Sequence, residues 1–306
     1  LHGTFSSGWE PALTIEPGDS VTVSTLDARW SIEGPAADGS PGHQLEPRNP
    51  ERDNGHALCG PIAVRGAQPG MNLVIDIGEI FPGAWGWTAG GSWPNGINEH
   101  LGIGTDDVRL AWTLDHETGR ATNQFGQSVQ MSPFFGVMGM PGLSEIPVPS
   151  WTPRPQGGNI DCRELVSGTR LYLPIAVEGA LFSVGDGHAA QGDGEVSGTG
   201  IECPMASASL TFELSDEFLI AAPLARTSDS WISFGFDEDL DAAAIQALDG
   251  MLDLFGRQFA ISRANALALA SVAVDLRITQ IVNGVRGVHA VLRDNAIAGL
   301  PGIGTV

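Results

Sequence analysis

GPIAVRGAQPGMNLVIDIGEI, residues 60–80, carries the pattern on which the fold reading turns. Two short alternating runs stand on either side of Pro69–Gly70. A period of two is that of a strand with one buried face. PALTIEPGDSVTVSTLD, residues 11–27, repeats the unit: Leu13 and Ile15, a Pro-Gly-Asp turn at 17–19, then Val21 and Val23. Each unit reads as a β-hairpin, and the two together read as part of an antiparallel sandwich or barrel.

Outward from these units the strand signal continues. VRLAWTLD (108–115) and ATNQFGQSVQMS (121–132) give two more strand-like runs, with His116 in the turn between them. LYLPIAVEGALFSVG (171–185) is apolar on both sides, as strands buried on both faces are. ASASLTFEL (206–214) alternates again. From Asp237 the period becomes helical, through Leu240, Ile245, Leu248, Leu252, Phe255 and Phe259. Asp237, Glu238 and Asp239 stand at the favourable N-terminal end of that helix. Ser262 caps a second helix. An Asn-Gly turn at 283–284 closes a final hairpin, DLRITQIV to VRGVHAVLRD. Residues 31–58 and 81–105 are expected to be long loops, the second holding Trp85, Trp87 and Trp93, which could cap an apolar pocket. PFFGVMGMPG (133–142) is small enough for backbone to approach a ligand closely, which makes Phe135 a candidate pocket residue. The connector at 143–156 carries four prolines and marks the expected boundary. The expectation is a mainly β protein, with a β-sandwich domain over 1–150 and a β and α+β domain over 151–306.

The chain has 306 residues and a net charge of −21, a surface that repels phosphate backbones. No run is long and apolar enough to span a membrane, and no signal peptide is read at the N-terminus. All 15 basic residues are arginine. The lack of lysine excludes Ser-Ser-Lys amidase, Cys-Glu-Lys nitrilase, Schiff-base and P-loop chemistry. Cys59, Cys162 and Cys203 are widely spaced and odd in number, so a reducing, cytoplasmic compartment is expected.

The chemistry concentrates between residues 157 and 195. GGNIDC supplies Asn159 and Asp161, and GDGHAAQGDGE supplies Asp186, His188, Asp193 and Glu195. On a strand, residues two apart share a face, so Asp186 with His188, and Asp193 with Glu195, are expected to converge as pairs. One imidazole among several carboxylates suits zinc, manganese or iron, whereas oxygen ligands alone suit calcium. An acidic loop without metal fits the same spacing. Glu178 interrupts an apolar run, which makes it a candidate pocket carboxylate. His43 and His56 are weaker pocket candidates, and His289, in the last strand, is read as structural and not as a ligand.

GGNIDC followed by PIAVEGALFSVGDGHAAQGDGEVSGTGIE closely resembles the signature of the acetamidase/formamidase family. HALCGPIAVRGAQPG, FFGVMGMPG and SRANALALASVAVDLRITQIVN are similar to other parts of it, so the likeness runs from about residue 10 to 293. The resemblance implies hydrolysis of a short, neutral amide to a carboxylate and ammonia. It also implies a jelly-roll-like sandwich with a second β unit, and a homo-oligomer, dimeric or trimeric. The motif positions fall on Asp161, Glu178, Asp186, His188, Asp193 and Glu195. Asp161, Asp186, His188 and Asp193 are then the expected ligands of a divalent metal, zinc or calcium. Glu178 or Glu195 is the expected general base, and Asn159 or the glycine-run amides hold the oxyanion. His56, Trp87, Gly158 and Phe135 are the expected substrate contacts. Cys162 is discounted as a nucleophile, because neighbouring carboxylates raise a thiol's pKa. The long loops at 31–58 and 81–105 are less typical, so a larger amide or a lactam is an alternative substrate. A non-catalytic, metal-stabilised binding sandwich is the other class left open.

Overall fold

The computed structural model describes residues 1–91, 96–103 and 107–298; Trp93 lies outside them. The chain is mainly β, and two large sheets face each other. The first has five strands, in the spatial order Gly157–Asn159, Phe134–Gly139, Phe182–His188, Leu58–Val64 and Leu13–Ile15. The second has eight, in the order Val274–Gln280, Arg286–Arg293, Ser230–Asp237, Leu224–Arg226, Arg170–Pro174, Asn72–Pro82, Met205–Ser215 and Ser20–Val23. A four-stranded meander covers Trp85–Gly90, Val108–Asp115, Arg120–Asn123 and Ser128–Gln130. Each large sheet takes strands from both sides of residue 150.

Alternation along the eight-stranded sheet feeds two separate cores. Leu73, Ile75, Leu171, Leu173, Ile232 and Phe234 face the five-stranded sheet. Val74, Tyr172, Leu224 and Trp231 face the helices Leu240–Phe259 and Arg263–Ala273. The layers are therefore helix, sheet and sheet, and the doubly apolar reading of 171–174 follows from that sandwiching. Asp239 caps the first helix by accepting from the Ala242 amide at 2.9 Å, and Ser262 caps the second by accepting from Asn265.

The strand–Pro-Gly–strand units are not hairpins. Leu13–Ile15 pairs in parallel with Leu58–Val64, while Ser20–Val23 pairs with Met205–Ser215 in the other sheet. Leu58–Val64 and Asn72–Pro82 are likewise divided between the sheets. Both runs of each unit carry apolar side chains to one core, and the turn lets the chain cross over that core. A third crossing separates Arg170–Pro174 from Phe182–His188. There Gly179, Ala180 and Leu181 all have positive φ, of 77°, 63° and 59°. That tight turn exposes Glu178, so the acid does not interrupt a buried strand. Residues 81–105 are not a continuous loop either, since they hold the Trp85–Gly90 strand and the short Gly96–His100 helix. Residues 31–57 are irregular as expected, and Leu58 opens the next strand.

Phe182 joins the two sheets. It is fully buried and meets Phe212 of the opposite sheet edge-on, with ring centroids 5.2 Å apart. Phe182→Ala is expected to lower unfolding free energy by about 3–5 kcal/mol, checked by urea denaturation of the two proteins.

Candidate active site

Asp186 and His188 project from the Phe182–His188 strand as the sequence spacing requires, with His188 Nε2 3.3 Å from Asp186 Oδ1. Asp161 comes from the loop after Gly157–Asn159. Its Oδ2 accepts from Asn283 Nδ2 at 2.8 Å, and its carbonyl accepts from Gln191 Nε2. Glu202 approaches from a one-residue bridge between His188 and Trp87, placing Oε1 3.0 Å from His188 Nε2. Glu195 completes the group and is buried. His56 closes it on one side, with Nδ1 3.1 Å from Asp186 Oδ2.

Local backbone makes this convergence. Asp161, Asp186 and Glu195 have φ of 54°, 56° and 45°, in the left-handed region that side chains other than glycine seldom adopt. Strand pairing skips the level between Gly136 and Asp186, passing from Phe135–Gly187 to Val137–Gly185. A Cβ on Gly136 would stand 2.4 Å from Asp186 Oδ2 and 2.6 Å from Asp161 Oδ1, so only glycine leaves room for both acids. Phe134 packs edge-on against the His188 ring at 5.0 Å.

Burial leads the electrostatics. It pushes Glu195 up to about 8 and Glu202 up to about 7, with neighbouring acids adding to the effect. Burial, then the charges of Glu195 and Asp186, raise Asp161 well above the usual carboxylate range. Burial opposes ionisation of Asp186 too, but the charges of His56 and His188 outweigh it and hold Asp186 well down. Burial alone would lower His56; the charge of Asp186 prevails and raises it to about 9. His188 is raised for the same kind of reason, with Glu202 as its largest charge partner.

Several buried atoms here have no hydrogen-bond partner: Asp161 Oδ1, Asp186 Oδ1, Glu195 Oε2, Glu202 Oε2 and both nitrogens of His188. His188 Nε2 lies within ion-pair range of Asp186 Oδ1 and Glu202 Oε1 but off hydrogen-bond directions. Ligand atoms of Asp161, Asp186 and His188 lie within 4.8 Å of one another, as do those of His188, Glu195 and Glu202. Lone pairs aimed at one another without intervening donors are what a cation resolves, so the residues fit a divalent metal.

Not every expected residue joins this centre. Asp193 is exposed, because residues 193–195 form a turn with Gly194 at φ 94° and not a strand, which turns Asp193 away from Glu195. Glu178 is exposed in its own turn. Phe135 points into the core between the sheets, one residue out of phase with Phe134 and Gly136. Trp87 is buried and donates to Asp27 at 2.7 Å, while its backbone holds Glu202. Gly158 packs close against the Thr152 carbonyl. Asn159 donates one Nδ2 hydrogen to the Trp151 carbonyl and leaves Oδ1 without a donor. Cys162 is buried, and burial with the charge of Glu164 pushes its thiol well up. Glu202 was missed, though an acid between buried Ile201 and Cys203 carries the same cue that marked Glu178. Asn283 was read only as a turn residue. His56 lines a cavity of about 690 Å³ together with Trp30, Gln44, Arg48, Asn49 and Trp151.

The chain matches the model of the acetamidase/formamidase family over residues 2–152 and 147–292, and it belongs to that family. The formamidase of Methylophilus methylotrophus is 26% identical over 250 residues, 64% of this chain and 60% of that protein. The acetamidase of Mycolicibacterium smegmatis is 26% identical over 256 residues, 62% of this chain and 60% of that protein. The chain thus spans about 60% of the length of these curated relatives. The crystal structure of an acetamidase from Bacillus halodurans superposes with a TM-score of 0.82 at 28% identity, covering 96% of this chain and 95% of that one.

Two outcomes are expected of this centre. Gly136→Ala should weaken divalent-cation affinity by about 10–100-fold, as displaced ligands do, measured by titration of the metal-free protein. The second concerns pH. In the cation-free folded chain Glu195 and Glu202 keep protons that the unfolded chain releases near 4.5, and His56 keeps one to about 9. The folded state then binds more protons than the unfolded state across this window, so its stability falls as pH rises from about 4.5 to about 9. A bound cation displaces those protons. Urea midpoints across this pH range should decline with chelator present and stay nearly level with zinc.

Proposed function

We propose that the chain is an amidase that hydrolyses the C–N bond of a carboxamide: RCONH₂ and water give RCOO⁻ and NH₄⁺. The observation that carries this reading is the set of buried, donor-less oxygen and nitrogen atoms of Asp161, Asp186, His188, Glu195 and Glu202 beside the His56 cavity. Family membership supports the same reaction class. Asp161, Asp186 and His188 would hold a divalent cation, with Glu202 Oε1 3.0 Å from the same His188 Nε2. An imidazole among the carboxylates favours zinc over calcium. Such a cation supplies Lewis-acid polarisation of the amide carbonyl and makes water more acidic.

The side chains divide the remaining work. Glu195, whose basicity burial has raised, takes a proton from the attacking water at Oε2 and returns it to the leaving nitrogen. His56 borders the cavity and would donate an imidazole N–H to the developing oxyanion from that side. Asn159 offers its free Oδ1 to the amide N–H. The cavity is far larger than formamide or acetamide, and Trp30 and Trp151 stand in its wall, which favours an amide with a bulkier acyl group. Three free cysteines suit a reducing compartment such as the cytoplasm.

Ammonia release should be followed over formamide, acetamide and larger acyl amides, and ring opening to the amino acid over a lactam, before and after chelation. Turnover should vanish on chelation and return with zinc, and Glu195→Gln should lower kcat by about 10²–10⁴-fold. Unchanged turnover after complete removal of metal would sink the mechanism, and the absence of turnover on every amide would sink the function.

A further inference from the structure

We infer that Cys162, Glu164 and His289 form a second divalent-metal site of the zinc class, next to the first but sharing no ligand with it. The three donor atoms lie within 4.8 Å of one another, and the Cys162 and His289 side chains are fully buried. Cys162 Sγ is 3.2 Å from Glu164 Oε2, and His289 Nε2 is 3.6 Å from the same oxygen. Zinc bonds of about 2.3 Å to sulfur and about 2.0–2.1 Å to nitrogen and oxygen set tetrahedral ligand separations of roughly 3.3–3.6 Å. The observed spacings are close to those a zinc ion would impose.

The surroundings leave these donors facing inward. Arg277 Nη1 takes Glu164 Oε1 at 2.8 Å, which leaves Oε2 to the cluster. Thr279 Oγ1 stands 2.8 Å from His289 Nδ1 and fixes the ring. His289 Nε2 has no hydrogen-bond partner although it is buried. If Nδ1 carries the proton, Nε2 aims a lone pair at a carboxylate oxygen, and the two repel. If Nε2 carries it, the contact is too long for a hydrogen bond. A cation between them satisfies both atoms. A hydrogen-bond partner on the far ring nitrogen fixes tautomer and orientation, the role outer partners play for a metal-bound imidazole. Asp193 adds negative charge to Cys162 and His289 alike and lies on the exposed side, where a fourth ligand or water would enter. Binding releases the thiol proton to solvent and leaves a metal-bound thiolate.

Such a site would pin the loop that carries Asp161 to the C-terminal hairpin. That hairpin already reaches Asp161 through Asn283.

The inference stands apart from the amidase reading, because the first centre contains no sulfur. The test is cobalt(II) titration of the metal-free full chain, followed in the near ultraviolet, with zinc per chain measured by elemental analysis. The wild type should develop thiolate-to-cobalt charge-transfer absorption. Cys162→Ser should lose that absorption and one equivalent of zinc per chain. His289→Gln should shift the absorption to cobalt concentrations higher by at least about 10-fold, a ligand mattering no less than its outer partners do. Wild-type protein saturated with cobalt and showing no thiolate absorption would overturn the site, without need of any variant. So would a Cys162→Ser protein that keeps the full absorption.

Discussion

Four carboxylates share one buried volume, and among the described residues the cationic side chains that touch them are two imidazoles, His56 and His188. Three half-buried arginines are engaged elsewhere: Arg170 with Asp76, Arg226 with Asp294, Arg277 with Glu164. Two like charges about 4 Å apart repel by about 4 kcal/mol even at an effective dielectric constant of 20. A cluster of this kind is tenable only with retained protons or with a cation, and much of the surrounding architecture serves to hold it. Three acids sit in left-handed backbone, Gly136 has no side chain, and Phe134 and Gly200 fix the His188 ring from two directions.

The centre lies at a junction of sheets. Glu202 bridges to His188 of the five-stranded sheet and to Trp87 of the meander, so its carboxylate is set by backbone pairing on both sides. The Gly200 amide donates to Glu202 Oε1 at 2.9 Å. Asp161 is held between Gln191 and the hairpin turn at Asn283. Five separate stretches of chain therefore meet at one point, and the rigidity of the ligand set derives from ladders and not from side-chain contacts alone.

The mainly β class, the two capped helices, the final hairpin and the Asp186–His188 pair were all legible in the sequence, because each rests on local periodicity or capping chemistry. What escaped was decided by non-local geometry. A strand–Pro-Gly–strand unit looks the same whether the turn returns the chain to one sheet or carries it across to another. Asp193 and Glu195 have the same spacing as Asp186 and His188, but Gly194 turns the chain between them. Glu178 seemed to lie inside a buried strand because three consecutive left-handed residues cannot be read from Gly-Ala-Leu. Phe135 was placed one residue out of phase with the face that matters. Glu202 and Asn283 reach the centre by pairings that only the folded chain makes.

The repeated crossings between sheets bear on how the chain comes to be folded. Ser20 meets Thr211 across the edge of the eight-stranded sheet, hydroxyl to hydroxyl at 2.7 Å, from 191 positions away. At synthesis speeds of about 5–20 residues per second, the early strands wait on the order of ten seconds or more for their partners to leave the ribosome. During that interval their apolar faces and open edges are bare, so a nascent chain of this topology is a natural client for holdase chaperones.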